Sequence, residues 1–374
     1  MNVCIACDDL KRALECVSLA SGGSAGKGKK KDEDVTDAGG ISISIMPAGK
    51  DLCLITFRKR GAFEFIEYLA TGKSKAPAEA DCVVDAKRFV ALAKLFSGSV
   101  ELSFGEKEIA FIGENSCYKL MALANYEIEA PAFADTQLVI SPVLLADMHR
   151  RCEFACNKDL NHVQSAMQLN LKSDGSAVCY GSHNHMVAQY VVPSTGVRAD
   201  KSILVLPVSI LHICELADSQ DVNLAVDGKG LYAVTERYRY YAKPLAGNYP
   251  DCARIMQQPT EKTLRVNKAR LLEAISRATV VADDGSSFSR LNMRSQDNDL
   301  LLEAISEVGS AEEILALESI DGVMDKRSVN GNKLRSIVYA ISGDEVVIQF
   351  GKPLAPLLIS GTGGECHYVL ASVR

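Results

Sequence analysis

Apolar residues recur along this chain with two spacings. Helical spacing, with apolar side chains three and four residues apart, follows Asp8 or Asp9 (Leu10, Leu14, Val17) and runs over 85–97 (Phe89, Leu92, Ala93, Phe96). It recurs at 142–156, from Pro207 onward (Ile210, Ile213, Leu216), at 267–281 and at about 332–341. Asp8 or Asp9 suits the cap of the first helix, and Pro207 suits the first turn of the fourth. Between these stretches lie short β-branched runs bounded by turn residues, such as 41–46, 51–58, 100–104, 137–140, 186–192, 223–226, 300–306 and 314–320. Asp227-Gly228-Lys229-Gly230 reads as a hairpin turn. The reading is α+β: antiparallel meandering sheets with helices on one face.

The pattern repeats. Leu144-Leu145-Ala146-Asp147-Met148 returns as Leu271-Leu272-Glu273-Ala274-Ile275, each after a short strand run. The spacing, roughly 130 residues, is too long for a solenoid unit and fits a small domain. A chain of 374 residues has room for about two or three such domains. The boundaries expected are 1–135, 136–259 and 260–374, each with two helices and several antiparallel strands.

Composition narrows the class. Apolar residues make up 47% and charged residues 24%, as in globular proteins, and no run reaches the roughly 18 apolar residues of a membrane helix. The first residues, Met1-Asn2-Val3-Cys4, show no basic stretch followed by an apolar one, so no signal peptide is expected. Twelve cysteines without a framework read as reduced residues of a cytoplasmic protein. The net charge of −6 argues against gripping nucleic acid by bulk charge. The charge is unevenly spread, however: the helical stretches carry a slight basic excess and the remainder is acidic.

Candidate chemistry is sparse. Gly23-Ser24-Ala25-Gly26-Lys27-Gly28-Lys29-Lys30 approaches a P-loop, but Lys30 stands where a Ser or Thr would hold magnesium, and no strand precedes it. The segment 21–34 reads instead as a Gly/Ser-rich surface loop with a lysine run. Cys4-Ile5-Ala6-Cys7 is a lone CxxC on a strand, its cysteines on opposite faces. Ser182-His183-Asn184-His185 has no carboxylate or thiol at ligand spacing. No GxSxG elbow occurs. Arg237-Tyr238-Arg239-Tyr240-Tyr241 reads as a strand with an exposed arginine face and a packed tyrosine face, more than as a base-stacking platform. No catalytic residue, metal site or cofactor is expected.

The stretch 247–255 (GNYPDCARI) sits where a connector between the second and third domains belongs, and it is similar to the G-x-[FY]-P-[DN]-x-x-R-[VI] junction of the bacterial DNA polymerase III beta subunits, the sliding clamps. Residues 311–315 (AEEIL) and the tail 368–374 (YVLASVR) extend the likeness, and 182–188 (SHNHMVA) follows the family's T-D-G-H-R-L-A more loosely. Met186 replaces the usual arginine, His183-Asn184 replaces Asp-Gly, the tail lacks the usual proline and final leucine, and the 21–34 loop is enlarged. The chain thus resembles a divergent clamp.

The resemblance implies a clamp fold closing as a homodimeric ring of six domains around duplex DNA, tethering DNA polymerase III and clamp-loader subunits without enzymatic activity of its own. It implies a partner-peptide groove walled by Ser182, His185, Met186 and Val187, by Pro250, Arg254 and Ile255 from the junction, by Leu354 and Pro356 from a late strand, and by Val369, Leu370 and Val373 from the tail. It implies DNA contacts by Lys27, Lys29, Lys30, Lys31, Arg150 and Arg277. The dimer contact expected from it joins Tyr118 and Leu120 to Val280 and Val281, with Glu312 and Glu313 nearby for ion pairs, Lys119 being one partner. The other readings are a nucleotide-dependent enzyme, which would need a competent phosphate loop, and a three-domain interaction scaffold with no role on DNA.

Overall fold

Three times the chain runs from strand to helix, through a set of strands to a second helix, and on to three more strands. The computed structural model describes residues 1–20, 39–113, 115–123, 128–192, 200–282, 289–307 and 309–373. The first pass is β1 (Asn2–Ala6), α1 (Cys7–Ser18), β2 (Gly40–Pro47), β3 (Leu52–Arg60), β4 (Glu64–Lys73), β5 (Ala80–Asp85), α2 (Ala86–Leu95), β6 (Ser99–Phe104), β7 (Glu108–Gly113) and β8 (Ser116–Met121). The second is β9 (Leu138–Ile140), α3 (Pro142–Cys152), β10 (Met167–Leu171), β11 (Ala177–His183), β12 (Met186–Val192), β13 (Lys201–Val205), α4 (Pro207–Ala217), β14 (Val222–Val226), β15 (Leu231–Val234) and β16 (Tyr238–Ala242). A short helix, α5 (Cys252–Met256), precedes the third. That pass is β17 (Lys262–Asn267), α6 (Lys268–Ala282), β18 (Arg290–Gln296), β19 (Asp299–Ser306), β20 (Gly309–Ala316), β21 (Ser319–Asp321), β22 (Arg327–Asn330), α7 (Gly331–Ala340), β23 (Glu345–Phe350), β24 (Leu357–Gly361) and β25 (Cys366–Leu370).

Each pass forms the same two antiparallel sets. The first pass gives β5-β2-β3-β4 and β1-β6-β7-β8. The second gives β13-β10-β11-β12 and β9-β14-β15-β16. The third gives β22-β18-β19-β20 and β17-β23-β24-β25. Adjacent passes then join by one rule. The last strand of one pass's inner set pairs with the last strand of the next pass: β4 with β16, and β12 with β25. By the same rule β20 and β8 are the two ends left over, and each is an edge strand.

These joints sort the chain into two compact units, Met1–Pro142 with Val208–Pro244, and Val143–Pro207 with Leu245–Arg374. The middle pass is divided between them. In the first unit, α1 buries Leu10, Ala13, Leu14 and Val17 along one stripe. Its N-cap is Ala6, without a side-chain cap; Asp8 and Asp9 fall inside the first turn, where their charge suits the positive end of the helix dipole rather than a cap. Asp85 does cap α2, accepting a hydrogen bond from the Arg88 amide at 2.8 Å. Phe89 of α2 packs on Phe111 with ring centroids 4.9 Å apart. Glu64 is buried at the start of β4, where Ser209, His212 and Tyr240 all bond its carboxylate. On β16, Tyr238 and Tyr240 are buried and Arg239 is exposed, as strand alternation requires.

In the second unit α3, α6 and α7 bury Leu145 and Met148, Leu271, Ala274 and Ile275, and Leu334, Ile337 and Val338. Asn330 caps α7 through the Lys333 amide at 3.1 Å. Arg151 is buried beside the ring of Tyr190, 5.0 Å from its centroid. It bonds Asp147, the Ser342 hydroxyl and the Cys366 thiol, so its charge is met on several sides. The strand expected at 314–320 is two: β20, which begins earlier, and the short β21. Leu317 caps the β20 end by donating to the Asn298 carbonyl, and the chain then turns to pair with β17.

Candidate partner groove, edge strands and basic helix faces

Strand alternation decides which expected groove residues share a face. Val187 stands opposite Val369 across β12 and β25, and Leu358 of β24 stands opposite Val369 on its other side. These side chains, with Val178 and Tyr180 of β11 and Cys252 of α5, form one apolar cluster on the sheet. Tyr249, Ile255 and Met256 pack against it. The junction segment is held there by Asp251, which caps α5 through the Arg254 amide at 3.0 Å, and by the Tyr249 hydroxyl, which donates to the Ala166 carbonyl at 3.0 Å. Burial pushes the Cys252 thiol up to about 12, so it behaves as a small apolar residue.

Met186 and Leu370 pair with each other one position along. Both are buried, and alternation turns them to the face opposite Val187 and Val369. They belong to the core beneath the groove rather than to its wall, because adjacent strand residues point to opposite sides. Ser182 is buried with its hydroxyl 3.4 Å from the amide of Gln164, which donates to it. His185 is exposed, and its carbonyl accepts the Ala371 amide at 2.9 Å. Leu354 and Pro356 lie in the turn between β23 and β24, not on a strand; Leu354 is 55% exposed with φ of 68°. Val373 forms a bridge with Ser328. Of the three expected junction residues, Ile255 packs against the cluster from α5, Arg254 is exposed on the same helix, and Pro250 precedes it. Val178, Tyr180, Tyr249, Cys252, Met256 and Leu358 join the cluster without being among the expected groove residues, although strand alternation puts Val178 and Tyr180 on the same face as Ser182.

The two edge strands are strongly exposed. Every residue of β8 is exposed except Leu120, which is half-buried; Tyr118 is 48% and Met121 66% accessible. On β20 and its neighbours Ile314, Val280 and Ile305 lie open, while Val281 is half-buried. The expected ion pairs are made locally instead. Lys119 bonds Glu108 across the β7–β8 hairpin, and Arg277 clasps Glu313. The hydrogen bond from Arg277 holds the Glu313 carboxyl below its usual range, and Glu312 stays exposed.

Lys27, Lys29, Lys30 and Lys31 lie outside the described residues. Arg150 is bonded to Asp147 at 2.8 Å, one helical turn back. It lines a cavity of about 420 Å³ with Phe154, Leu272, Ser276, Arg335 and Tyr339, between α3, α6 and α7. Arg335 is exposed and has no ion-pair partner among the described residues. In the first unit, a cavity of about 640 Å³ between α1 and α2 is lined by Lys59, Lys87 and Lys94 together with Asp85. Burial lowers the Lys59 pKa. Among the described residues no cluster of three or more His, Cys, Asp or Glu stands ready for a metal, and no helix is long and apolar enough to cross a membrane.

A family model for the DNA polymerase III beta subunit, C-terminal domain, matches residues 253–374. The beta sliding clamp of Vibrio cholerae is 24% identical over 249 residues, 64% of this chain and 66% of that one. The beta sliding clamp of Staphylococcus aureus is 20% identical over 198 residues, 52% of each chain. The match thus spans between about half and two-thirds of the curated relatives' length. The beta subunit from Streptococcus pyogenes superposes over 100% of both chains with a TM-score of 0.85 at 17% identity. The sliding clamp from Bacillus subtilis does so with a TM-score of 0.85 at 16% identity, over 100% of this chain and 99% of that one. Residues 253–374 thus match the beta subunit's C-terminal domain, and the chain as a whole is similar to the beta sliding clamps. The clamp fold, α+β with antiparallel sheets, is shared over its whole length. A similar Pseudomonas aeruginosa clamp, at 16% identity and a TM-score of 0.82, covered over 99% of its length by 100% of this chain, is known bound to griselimycin.

Proposed function

We propose that this chain is a replication processivity clamp: a non-catalytic homodimeric ring that encircles duplex DNA and tethers a polymerase to it. The three passes through the fold act as clamp domains, 1–135, 136–259 and 260–374. The observation that carries the reading is the joint used twice within the chain. With β4 paired to β16 and β12 to β25, the edges that would make a third such joint are β20 and β8, and these carry exposed Ile314, Tyr118 and Met121. A second copy supplies each missing partner, so two chains close head to tail.

The mechanism is topological. A closed ring leaves DNA only by opening or at an end, so it needs no tight grip. Weak, sequence-independent attraction between helix cations and phosphates permits sliding, whereas many strong contacts would brake it. The slight basic excess of the helices within an acidic chain suits that balance. Polymerase and loader subunits dock a short peptide on the Val187–Val369–Ile255 groove, whose apolar floor offers one or two anchor sites. The protein acts in the cytoplasm, beside the replicating DNA.

Sedimentation and electron microscopy test the assembly: two-chain rings with an open centre are expected. Loaded on nicked circular DNA, the protein should co-elute with the DNA and be released when the circle is cut. A compact monomer, or equal retention on circular and linear DNA, would favour the interaction scaffold instead.

A further inference from the structure

The turn between β23 and β24 carries Leu354 and Pro356, two expected walls of the groove, and its backbone faces a buried cation. Arg327, the first residue of β22, is 3% exposed. Its guanidinium donates to the carbonyls of Ala355 at 2.8 Å, Gly351 at 2.6 Å and Lys352 at 2.9 Å. It also lies over the Phe350 ring, 5.6 Å from the centroid. No carboxylate bonds it among the described residues, and burial lowers its pKa. A desolvated guanidinium is costly unless its donors are met. Here one turn meets those of NH1 and NH2, while Nε is buried without a hydrogen-bond partner.

The geometry has a directional result. With three carbonyls drawn inward, Leu354 is left outward at a φ of 68°, a conformation a branched side chain rarely holds unaided. The start of the turn lies close against the main chain before β17: a Cβ on Gly351 would come within 2.7 Å of the Pro259 carbonyl oxygen. The tail is tied to the same point: the Ser372 hydroxyl donates to the Ala355 carbonyl at 2.9 Å, and the Val373 amide donates to the Ser328 carbonyl, next to Arg327, at 2.8 Å.

We infer that Arg327 is a positioning residue for partner binding: it sets the turn and tail that wall the groove without itself meeting the peptide. The inference rests on the groove being the partner site. Preorganised walls spare a ligand the cost of ordering them, so their loss appears as weaker binding.

The test is calorimetric titration with a Gln-x-x-Leu-Phe peptide against the full-length protein, Val187→Asp, Arg327→Met and Arg327→Lys. Binding by the unmodified protein that vanishes in Val187→Asp establishes the groove. Arg327→Met should then weaken the peptide by about tenfold. Arg327→Lys, which keeps donors but not the planar fork, should recover part of the loss. Faster amide exchange in Arg327→Met should be confined to 351–357 and 371–373. Affinity within twofold of the unmodified protein, whatever happens to melting temperature, would reduce Arg327 to a stability residue and overturn the inference. Should Arg327→Met fail to fold, Ser372→Ala cuts the tail's bond to the same turn; unchanged affinity there overturns it equally. No binding by the unmodified protein, or unchanged binding by Val187→Asp, removes the groove reading and this inference with it.

Discussion

Arg277 grips Glu313 with two hydrogen bonds, Nε to Oε1 at 2.7 Å and NH2 to Oε2 at 2.8 Å. The guanidinium expected to meet phosphate is spent on a carboxylate of its own unit, and Glu273 stands 3.8 Å away on the same helix. Arg335, exposed on α7, has no such partner among the described residues. In a salt titration on primed DNA, Arg335→Ala should lower the slope of log affinity against log salt by about one. Arg277→Ala should leave it nearly unchanged. The reverse order would mean the Arg277–Glu313 pair opens on DNA.

Ring closure should depend on apolar contact more than on ions, since exposed pairs contribute only about 0–1 kcal/mol each. Val281→Asp sets a carboxylate into the expected contact between copies. Leaving a charge unpaired there costs roughly 3 kcal/mol at each contact, and a two-chain ring has two contacts, so dimer dissociation should rise by about ten-thousandfold. Sedimentation should show monomers at concentrations where the unmodified protein is dimeric. A double Leu120→Asp/Val281→Asp protein that stays dimeric would place the contact elsewhere.

The groove should accept a Gln-x-x-Leu-Phe peptide at micromolar strength, a binding free energy of about −8 kcal/mol. Met186→Arg restores the family's usual residue but lies on the core face, so it should damage folding more than it alters peptide choice. Circular dichroism melting beside the titration separates the two: a fully stable Met186→Arg protein with a changed peptide preference would return Met186 to the wall.

His183 gives unit two a pH dependence of definite sign. Burial, then the charges of Lys333, His162 and His185, lower its pKa below the ordinary 6.5. The folded state therefore resists the proton that the unfolded chain accepts. Stability is full above pH 6.5, falls as the pH drops through 6.5 toward the depressed folded value, and falls no further below it. His149, depressed chiefly by burial, adds the same sign. His183→Gln should narrow the gap between melting temperatures at pH 7.5 and pH 5.5. An unchanged gap would assign the effect to His149.

The helices were legible because their apolar stripes are long and regular: the stretch from Pro207 and that at 267–281 match α4 and α6 within a residue or two. The facing of strand residues was less so. A family motif names Met186 and Val187 together, but a pleated strand separates them. β20 was misplaced because its sequence, Gly309 to Ala316, is polar and acidic, as an edge strand can be. Arg327 was invisible because its partners are main-chain carbonyls, which carry no signature in side-chain sequence.

The edges left by β8 and β20 are of different kinds, one closing the first pass and the other belonging to the third. A contact between unlike edges has no built-in stopping point: it makes a circle only when the turn between successive copies brings the last back to the first. Closure is then a matter of angle rather than of adhesion. A substitution that keeps both edges sticky but tilts one of the joints inside the chain should not yield monomers. It should yield open helical filaments, lengthening with concentration.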